Sequence, residues 1–464
     1  MRYILITTAL VLLGTAASAA EPGGPARPNI LFLVADDLAT RLGCYGDPAA
    51  ITPNLDRLAA SGVVFTHAYC QGVVCTPSRT SFMLGRNNAH AHANSFLDNP
   101  KLMTLGRWFR EHGYQTFSVG KIDHTDEYTD PKAWDIRHNR ADVKPPRQLG
   151  RRSKLEEDMP QPDGTRLGRQ VSHVGIADSA DQLHDWAVAE RAIQFLDTER
   201  DASKPFFAAV GFHTPHGPLD STRTAYEAHD PEKFTLEHLP ADATPLPLKS
   251  LLQEPGLATS EPLQREATRA YYAAVTMLDE QIGRLLDHLE AKGLADNTVI
   301  VFTSDHGYHL GWRGQWCKHS IDEQVLRVPL LVRSPQSATH TRAEGIVELV
   351  DLFPTFCDLA AIPAPESLDG RSFVPLLKDP TGSGKPGAFC RGANGRTVRT
   401  LRWRYIERGD GSQELYDHDH DPTEYHNVAD RPEHATVISD HAALLEQELG
   451  PRKPAPRAAP RGSF

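Results

Sequence analysis

The chain has 464 residues, with 49 Lys and Arg against 60 Asp and Glu, so its formal charge is −11 with the 22 His counted neutral. That acidic balance argues against a nucleic-acid partner. With 40% hydrophobic and 8% aromatic residues, and 34 Gly and 35 Pro spread along it, the chain can bury a large core, which excludes collagen-like and wholly disordered classes.

The N-terminus reads as an export signal. Arg2 supplies a positive charge, Tyr3 to Gly14 an apolar stretch, and Ala17, Ser18 and Ala19 the small residues before a cut. The apolar stretch is shorter than the ~20 residues a membrane span needs, no later run reaches that length, and no Cys near the cut offers a lipid site. Residues 1–20 are therefore expected to be a signal peptide, leaving a periplasmic or extracellular protein with no stable membrane insertion.

A catalytic domain is expected over residues 21–380. Asn29 to Ala35 is an unbroken apolar run ending in Asp36 and Asp37, the pattern of a strand buried on both faces of a parallel sheet. Pro53 to Ser61 reads as a helix closed by Gly62, and Thr104 to His112 as one closed by Gly113. The strand Gln115 to Val119 leads to Gly120, Lys121 and His124. After a helix over Asp185 to Leu196, the strand Phe206 to Val210 leads to His213 and His216. A helix over Glu266 to Lys292, closed by Gly293, precedes the strand Thr298 to Thr303, which leads to Asp305 and His306. Alternating strands and helices imply an α/β sheet covered on both faces. In such sheets ligands bind beyond the carboxyl ends of the strands, so four polar clusters at four strand ends point to one site.

Asp379 to Gly387, rich in Gly, Pro and Ser, reads as a linker. A small α+β domain is expected over 381–450, with a strand at Thr397 to Glu407, another near Leu415 and Tyr416, and a helix from about Glu433 to Leu449. Residues 451–464 read as a disordered tail. The six Cys (Cys44, Cys70, Cys75, Cys317, Cys357 and Cys390) permit three disulfides in an oxidising compartment.

The segment Cys75, Thr76, Pro77, Ser78, Arg79 carries the sharpest signal. It resembles the signature of the type I sulfatases, in which this Cys is oxidised after translation to formylglycine. Asp36 and Asp37, the stretch from Gly120 to His124, Pro215 to Pro218, Ser304 to Gly307, Lys318, and Glu414 to Asn427 are similar to family blocks in family order. The VGFHTPH, SDHG and WCKHS stretches are most similar to iduronate-2-sulfatase and its bacterial relatives. The resemblance implies an alkaline-phosphatase-like α/β fold, one calcium ion, a sulfated carbohydrate substrate, and a formylglycine-generating enzyme as a partner in maturation.

Sulfate ester hydrolysis needs a nucleophile, neutralisation of the sulfuryl oxygens and a proton for the departing alcohol. Asp36, Asp37 and Asp305 offer the hard oxygen ligands that calcium prefers, and the residue derived from Cys75 would join them. His306 would complete the set through nitrogen, an unusual ligand for calcium, so it is open to two other readings, a contact to substrate or a place behind the ligands; the resemblance still implies calcium as the ion. Cys75 is expected just ahead of a short helix starting near Ser78, where amides and dipole favour an anion. By carry-over a hydrated formylglycine attacks sulfur with Asp305 as base. Arg79 and Lys121 hold its oxygens and the metal ligands in register, and Lys318 and His216 face the sulfate and the bridging oxygen, one of them protonating the leaving alcohol. His124 is the expected base for the final release of sulfate. With Cys75 an aldehyde, at least one of the other five Cys is unpaired. His213 and His319 read as structural, with His213 a possible substrate neighbour, and no second cluster of His and Asp is evident. Glu414 to Asn427 reads as a segment packing one domain on the other. The polar stretch from Asp130 to Asp181 is a candidate rim for an anionic sugar, with Arg137, Arg140 and Arg147 as its readers. A 2-O-sulfated uronic acid is the expected substrate; the alternatives are a phosphatase or phosphonate monoester hydrolase of the same superfamily, and a non-catalytic secreted glycan-binding protein.

Overall fold

Eight strands, β1 (Asn29–Asp36), β2 (Val63–Phe65), β3 (Gln115–Gly120), β4 (Ile136–Asn139), β5 (Phe206–Pro215), β6 (Thr298–Ser304), β7 (Leu330–Arg333) and β8 (Thr341–Ala343), form one sheet in the order β8-β2-β7-β6-β1-β5-β3-β4. The computed structural model describes residues 27–87, 103–124, 129–155, 173–246, 260–335, 337–392 and 395–451. The expected signal peptide and all but the first residue of the expected tail lie outside the described residues.

Strand β1 is buried from end to end, which is why its sequence is an unbroken apolar run. It pairs in parallel with β5 on one side and β6 on the other, and β3 and β4 continue the parallel half. On the far side β7 is antiparallel to both β6 and β2, while β8 is parallel to β2. The sheet is therefore mixed, with one reversed strand. These edge strands have only three or four residues each, too short to stand out from loops as periodic runs.

Successive residues of β1 point to opposite faces. Leu31, Leu33 and Ala35 enter one apolar layer with residues of α1 (Pro53–Ala60), α4 (His184–Gln194) and α5 (Glu261–Ala291). Ile30, Phe32 and Val34 enter the other, against α2 (Cys75–Leu84), α3 (Leu105–Glu111) and α6 (Leu352–Leu359). The Phe32 ring there makes edge contacts with Phe82 and Phe356 at 5.8 and 5.2 Å. Two expectations shift. Helix α5 begins at Glu261 rather than Glu266, with Pro262 in its first turn, and α4 ends at Gln194 and continues as a π-turn over Phe195–Glu199.

The C-terminal region is an antiparallel meander of β9 (Ala388–Gly392), β10 (Gly395–Arg399), β11 (Trp403–Arg408) and β12 (Gln413–Asp417), packed on α7 (Ala435–Leu449). The single strand expected over Thr397 to Glu407 is two, joined by a tight turn closed by Thr400 N donating to Trp403 O at 2.8 Å. That turn has no Gly, Pro, Asn or Asp to announce it. Strand β9, directly after the expected linker, was not anticipated. Phe389, Val398, Tyr405, Leu415 and Leu445 give this sheet a core of its own.

A buried ionic network joins the two sheets. Arg404 Nη2 donates to Glu323 Oε2 at 2.6 Å, its Nε donates to Glu424, and Arg399 Nε reaches Glu323 Oε2 at 3.2 Å. Glu424 accepts from the Glu323 amide at 3.0 Å, so the loop after Lys318 is tied to the small sheet. All six Cys are free thiols, so none of the permitted disulfides forms. Among the described residues no helix is long and apolar enough to cross a membrane.

Candidate active site

The carboxyl ends of β1, β3, β5 and β6 all deliver polar side chains to the N-terminus of α2. Chain direction changes sharply at each. Asp37 follows β1 in the left-handed region at φ 67°, a conformation Asp tolerates better than most residues. Gly120, at φ 76°, lets β3 turn into Lys121, and a Cβ there would sit 2.1 Å from the Gly211 carbonyl. Lys318 lies between two more left-handed residues, Cys317 at φ 70° and His319 at φ 87°. Cys75 is itself the first residue of α2, with Val74 as cap, so the helix starts three residues before the expected Ser78.

These turns bring the candidate residues together. The Cys75 sulfur lies 3.3 Å from Asp36 Oδ1, 3.4 Å from His306 Nε2, 3.5 Å from Lys121 Nζ and 3.6 Å from Lys318 Nζ. Lys121 Nζ donates to Asp36 Oδ2 and Lys318 Nζ to Asp37 Oδ1, the latter at 2.5 Å. Arg79 Nε donates to Asp305 Oδ2 at 2.9 Å, while its Nη1 and Nη2 hold the carbonyls of Lys121 and Ala35. Three buried carboxylates thus face three buried cations.

The charges set the protonation states. Burial pushes the Asp36 carboxyl up, but Lys121, His216 and Arg79 outweigh it and hold the group well below the usual range. Burial would lower Lys318, and Asp37 raises it instead. The Cys75 thiol is driven well above its ordinary value by burial and by Asp36 and Asp305. An unmodified Cys75 is therefore a protonated thiol, not a nucleophilic thiolate. Burial keeps His306 neutral at ordinary pH and brings His213 down to about 4.

Asp36, Asp37, Cys75 and His306 each offer a ligand atom, all within 4.8 Å of one another. Asp37 Oδ2 is buried with no hydrogen-bond partner among the described residues, an arrangement a cation would satisfy. The donor set therefore fits a hard divalent ion. Asp305, the fifth expected ligand, stands beside this group. Its Oδ1 accepts from the amides of Asp37 and His306 at 3.2 and 3.0 Å, and its Oδ2 lies 3.7 Å from His306 Nε2.

His216 approaches from β5, with Nε2 4.0 Å from Asp37 Oδ2, and His124 is exposed at the rim. Two features go beyond the sequence reading. His213 Nδ1 is 3.4 Å from Asp36 Oδ2, and Asp36, His213 and His216 form a second cluster of metal-binding type that shares Asp36 with the first. Asp185, in the first turn of α4, is buried and braces the whole His213 to His216 turn. It accepts from the amides of His213 at 3.0 Å and Thr214 at 2.7 Å, and from the Thr214 hydroxyl. The amides it holds belong to residues 28 and 29 positions away, so no local pattern could have announced this brace.

A cavity of about 390 Å³ opens beside these groups, lined by Lys121, His124, Arg137, Arg140, His213 and His216 among others. Arg147 is not among its lining residues and lies 3.6 Å from Asp181. A second cavity of about 460 Å³, between Arg41, Tyr45, Tyr272 and Thr423, contains none of the groups around Cys75.

Residues 28–362 match the profile of the family described as Sulfatase, and residues 311–449 that described as N-sulphoglucosamine sulphohydrolase, C-terminal. The chain is 32% identical to the iduronate 2-sulfatase of Mus musculus over 393 residues, covering 73% of this chain and 69% of the relative. A solved structure in complex with its substrate D-glucosamine-2-N,6-O-disulfate shares the fold, with a TM-score of 0.73 at 24% identity over 93% of this chain and 100% of that one. The phosphonate monoester hydrolase of Agrobacterium radiobacter does so at 0.72, with 22% identity over 91% of this chain and 95% of that one.

Proposed function

The chain belongs to the sulfatase family and is a sulfuric ester hydrolase, and from that premise we propose that it acts after export on a 2-O-sulfated uronic acid of an anionic polysaccharide. The observation that carries the assignment of residues is the convergence on Cys75. Asp36, Asp37 and His306 lie within ligand distance of it, and Lys121 and Lys318 lie 3.5 and 3.6 Å from its sulfur. The uronate reading rests on the likeness to iduronate 2-sulfatase. It gains support from the two arginines lining the neighbouring cavity.

Formylglycine made from Cys75 would supply a hydrated aldehyde as nucleophile, and a calcium ion held by Asp36, Asp37, His306 and the modified residue, with Asp305 adjoining, would supply positive charge to the sulfuryl oxygens. The chain's own side chains do the rest. Asp305, already fixed by two amides and Arg79, accepts the proton released on attack. Arg79 and Lys121 keep Asp36 and Asp305 in register by holding the chain ends that carry them. Lys318 and His216 reach in from opposite loops to bind the sulfate and protonate the leaving oxygen. His124, at the rim, accepts the proton whose loss lets sulfate depart. The burial of Asp36, Asp37 and Asp305 excludes bulk water and strengthens each of these contacts.

The test is the mass of the peptide containing Cys75 from protein made in its native host, together with turnover of a 2-O-sulfated uronate disaccharide by wild type and by Cys75→Ala. An aldehyde mass, and hydrolysis lost in the variant, is the expected result. Equal activity in the variant would rule out Cys75 as source of the nucleophile. Turnover of sulfated glucosamine but not of the uronate would reject the substrate.

A further inference from the structure

We infer that Arg140 reads a second anionic group of the substrate, beside the sulfate ester, and that the His184–Asp185 pair sets its position relative to His216. The inference rests on the sulfated-carbohydrate reading above and adds to it the residue that selects a charged sugar.

Of the arginines considered for the rim, Arg140 alone both lines the cavity and has a guanidinium without a hydrogen-bond or ion-pair partner among the described residues. Arg137 also lines it, but its Nη2 donates to Thr129 Oγ1 at 3.1 Å. Arg147 donates to Ser179 Oγ at 3.0 Å, and Arg152 is bound by both oxygens of Asp220 at 2.7 and 2.6 Å. His138, in the same wall, has its Nε2 2.8 Å from Arg191 Nη2. An unengaged arginine on open surface would mean little. This one shares a cavity with Lys121, His124, His213 and His216.

Its backbone is fixed while its head has no partner among the described residues. Asn139 Oδ1 accepts from the amides of Ala141 at 2.9 Å and Asp142 at 3.0 Å, forming a tight turn with Arg140 at its tip. The Arg140 carbonyl lies 3.1 Å from His184 Nε2, and His184 Nδ1 lies 3.2 Å from Asp185 Oδ1. Asp185 in turn accepts from the amides of His213 and Thr214. One dipeptide at the start of α4 therefore links the turn carrying Arg140 to the turn carrying His216. Lys121 and Lys318 pair with the carboxylates around Cys75, where the sulfate ester itself would be held. A further anion entering the cavity meets a guanidinium whose planar fork can bind a carboxylate through two parallel hydrogen bonds.

The experiment compares kcat/KM on matched pairs that differ by one anionic group: a 2-O-sulfated uronate disaccharide with its carboxyl-reduced form, and 2-N,6-O-disulfated glucosamine with 6-O-sulfated N-acetylglucosamine. For whichever pair wild type hydrolyses, the charged member should be preferred, and Arg140→Gln should shrink that preference about 10- to 100-fold, chiefly through KM. Arg140→Lys should restore part of it, and Arg147→Gln should alter it by less than about twofold. In the inactive Cys75→Ala background, Arg140→Gln should weaken binding of the charged member by a similar factor, measured by calorimetry. No preference in wild type, or a preference that survives Arg140→Gln, overturns the inference. Should only the glucosamine pair be hydrolysed and its preference collapse, Arg140 keeps its role while the uronate reading falls.

Discussion

Replacing Asp185 by Asn separates the charge of the brace from its shape. Burial alone would raise the Asp185 carboxyl, but His184, the Thr214 hydroxyl and the His213 amide outweigh it and bring it from 3.8 to about 2. At about 1.4 kcal/mol per tenfold, that displacement stabilises the folded, ionised form by about 2 kcal/mol. The sign follows from the direction. A group whose folded value is depressed contributes fully above its unfolded value near 3.8, and the contribution fades as pH falls toward about 2. Asp185→Asn should therefore lose about 2 kcal/mol at pH 7, and about half that difference should have vanished by pH 3. Urea unfolding of both proteins at the two pH values measures this, since groups common to both cancel. The same variant should lower the pKa of His184, which Asp185 holds above its ordinary value against the effect of burial; imidazole NMR titration reads that shift. A stability difference of equal size at pH 7 and pH 3 would refute the electrostatic account and leave only lost packing.

Other outcomes follow from the same geometry. Arg404→Met should lose about 3 kcal/mol in denaturant unfolding, because it leaves buried Glu424 with only His418, and Glu323 with only Arg399 and the more distant Arg327, to offset their charges. Adding Glu323→Gln and Glu424→Gln should recover part of the loss, and a deficit below about 1 kcal/mol for Arg404→Met alone would contradict a tightly buried network. Calcium at about a hundredfold over its Kd should raise the thermal midpoint of metal-free protein by the equivalent of about 2.7 kcal/mol. Asp37→Asn should abolish that increment, and an unchanged increment would remove Asp37 from the ion's shell. Gly120→Ala, which forces a Cβ to within 2.1 Å of a backbone oxygen at φ 76°, should lower stability by about 3 kcal/mol or more. A midpoint near that of wild type would mean the β3–β5 contact can relax.

The centre of the molecule was readable from sequence because burial on two faces leaves a simple mark. Residues 29–36 are apolar until the sheet ends, and the polar residues that follow are the ones that meet at Cys75. Strands β2, β7 and β8 left no such mark, being short, and β10 and β11 merged because the turn at Thr400 lacks a residue that breaks a pattern. In the site, the groups carried on motifs come together around Cys75, whereas a group that acts through main-chain contacts leaves no motif. Asp185 looks like any acidic residue at a helix start until its partners on β5 are seen. The approach of His213 to Asp36 depends on how β1 and β5 lie side by side, which no stretch of sequence displays. Asp305, expected from sequence as a ligand, stands beside the four-residue group with its oxygens also held by two amides and Arg79, contacts that no motif displays.

The seclusion of Cys75 also imposes an order in time. With its residue only 4% exposed and its backbone wound into the first turn of α2, the sulfur is closed to any macromolecular catalyst once the sheet has formed. If Cys75 is matured as proposed above, its oxidation to an aldehyde by such a catalyst would have to be completed on a nascent or still unfolded chain, in a race against collapse. A molecule that folds first keeps its thiol until it unfolds again. Specific activity of a preparation would thus record how often modification won that race, and accelerating folding in an expression host would lower it without altering a single contact in the finished protein.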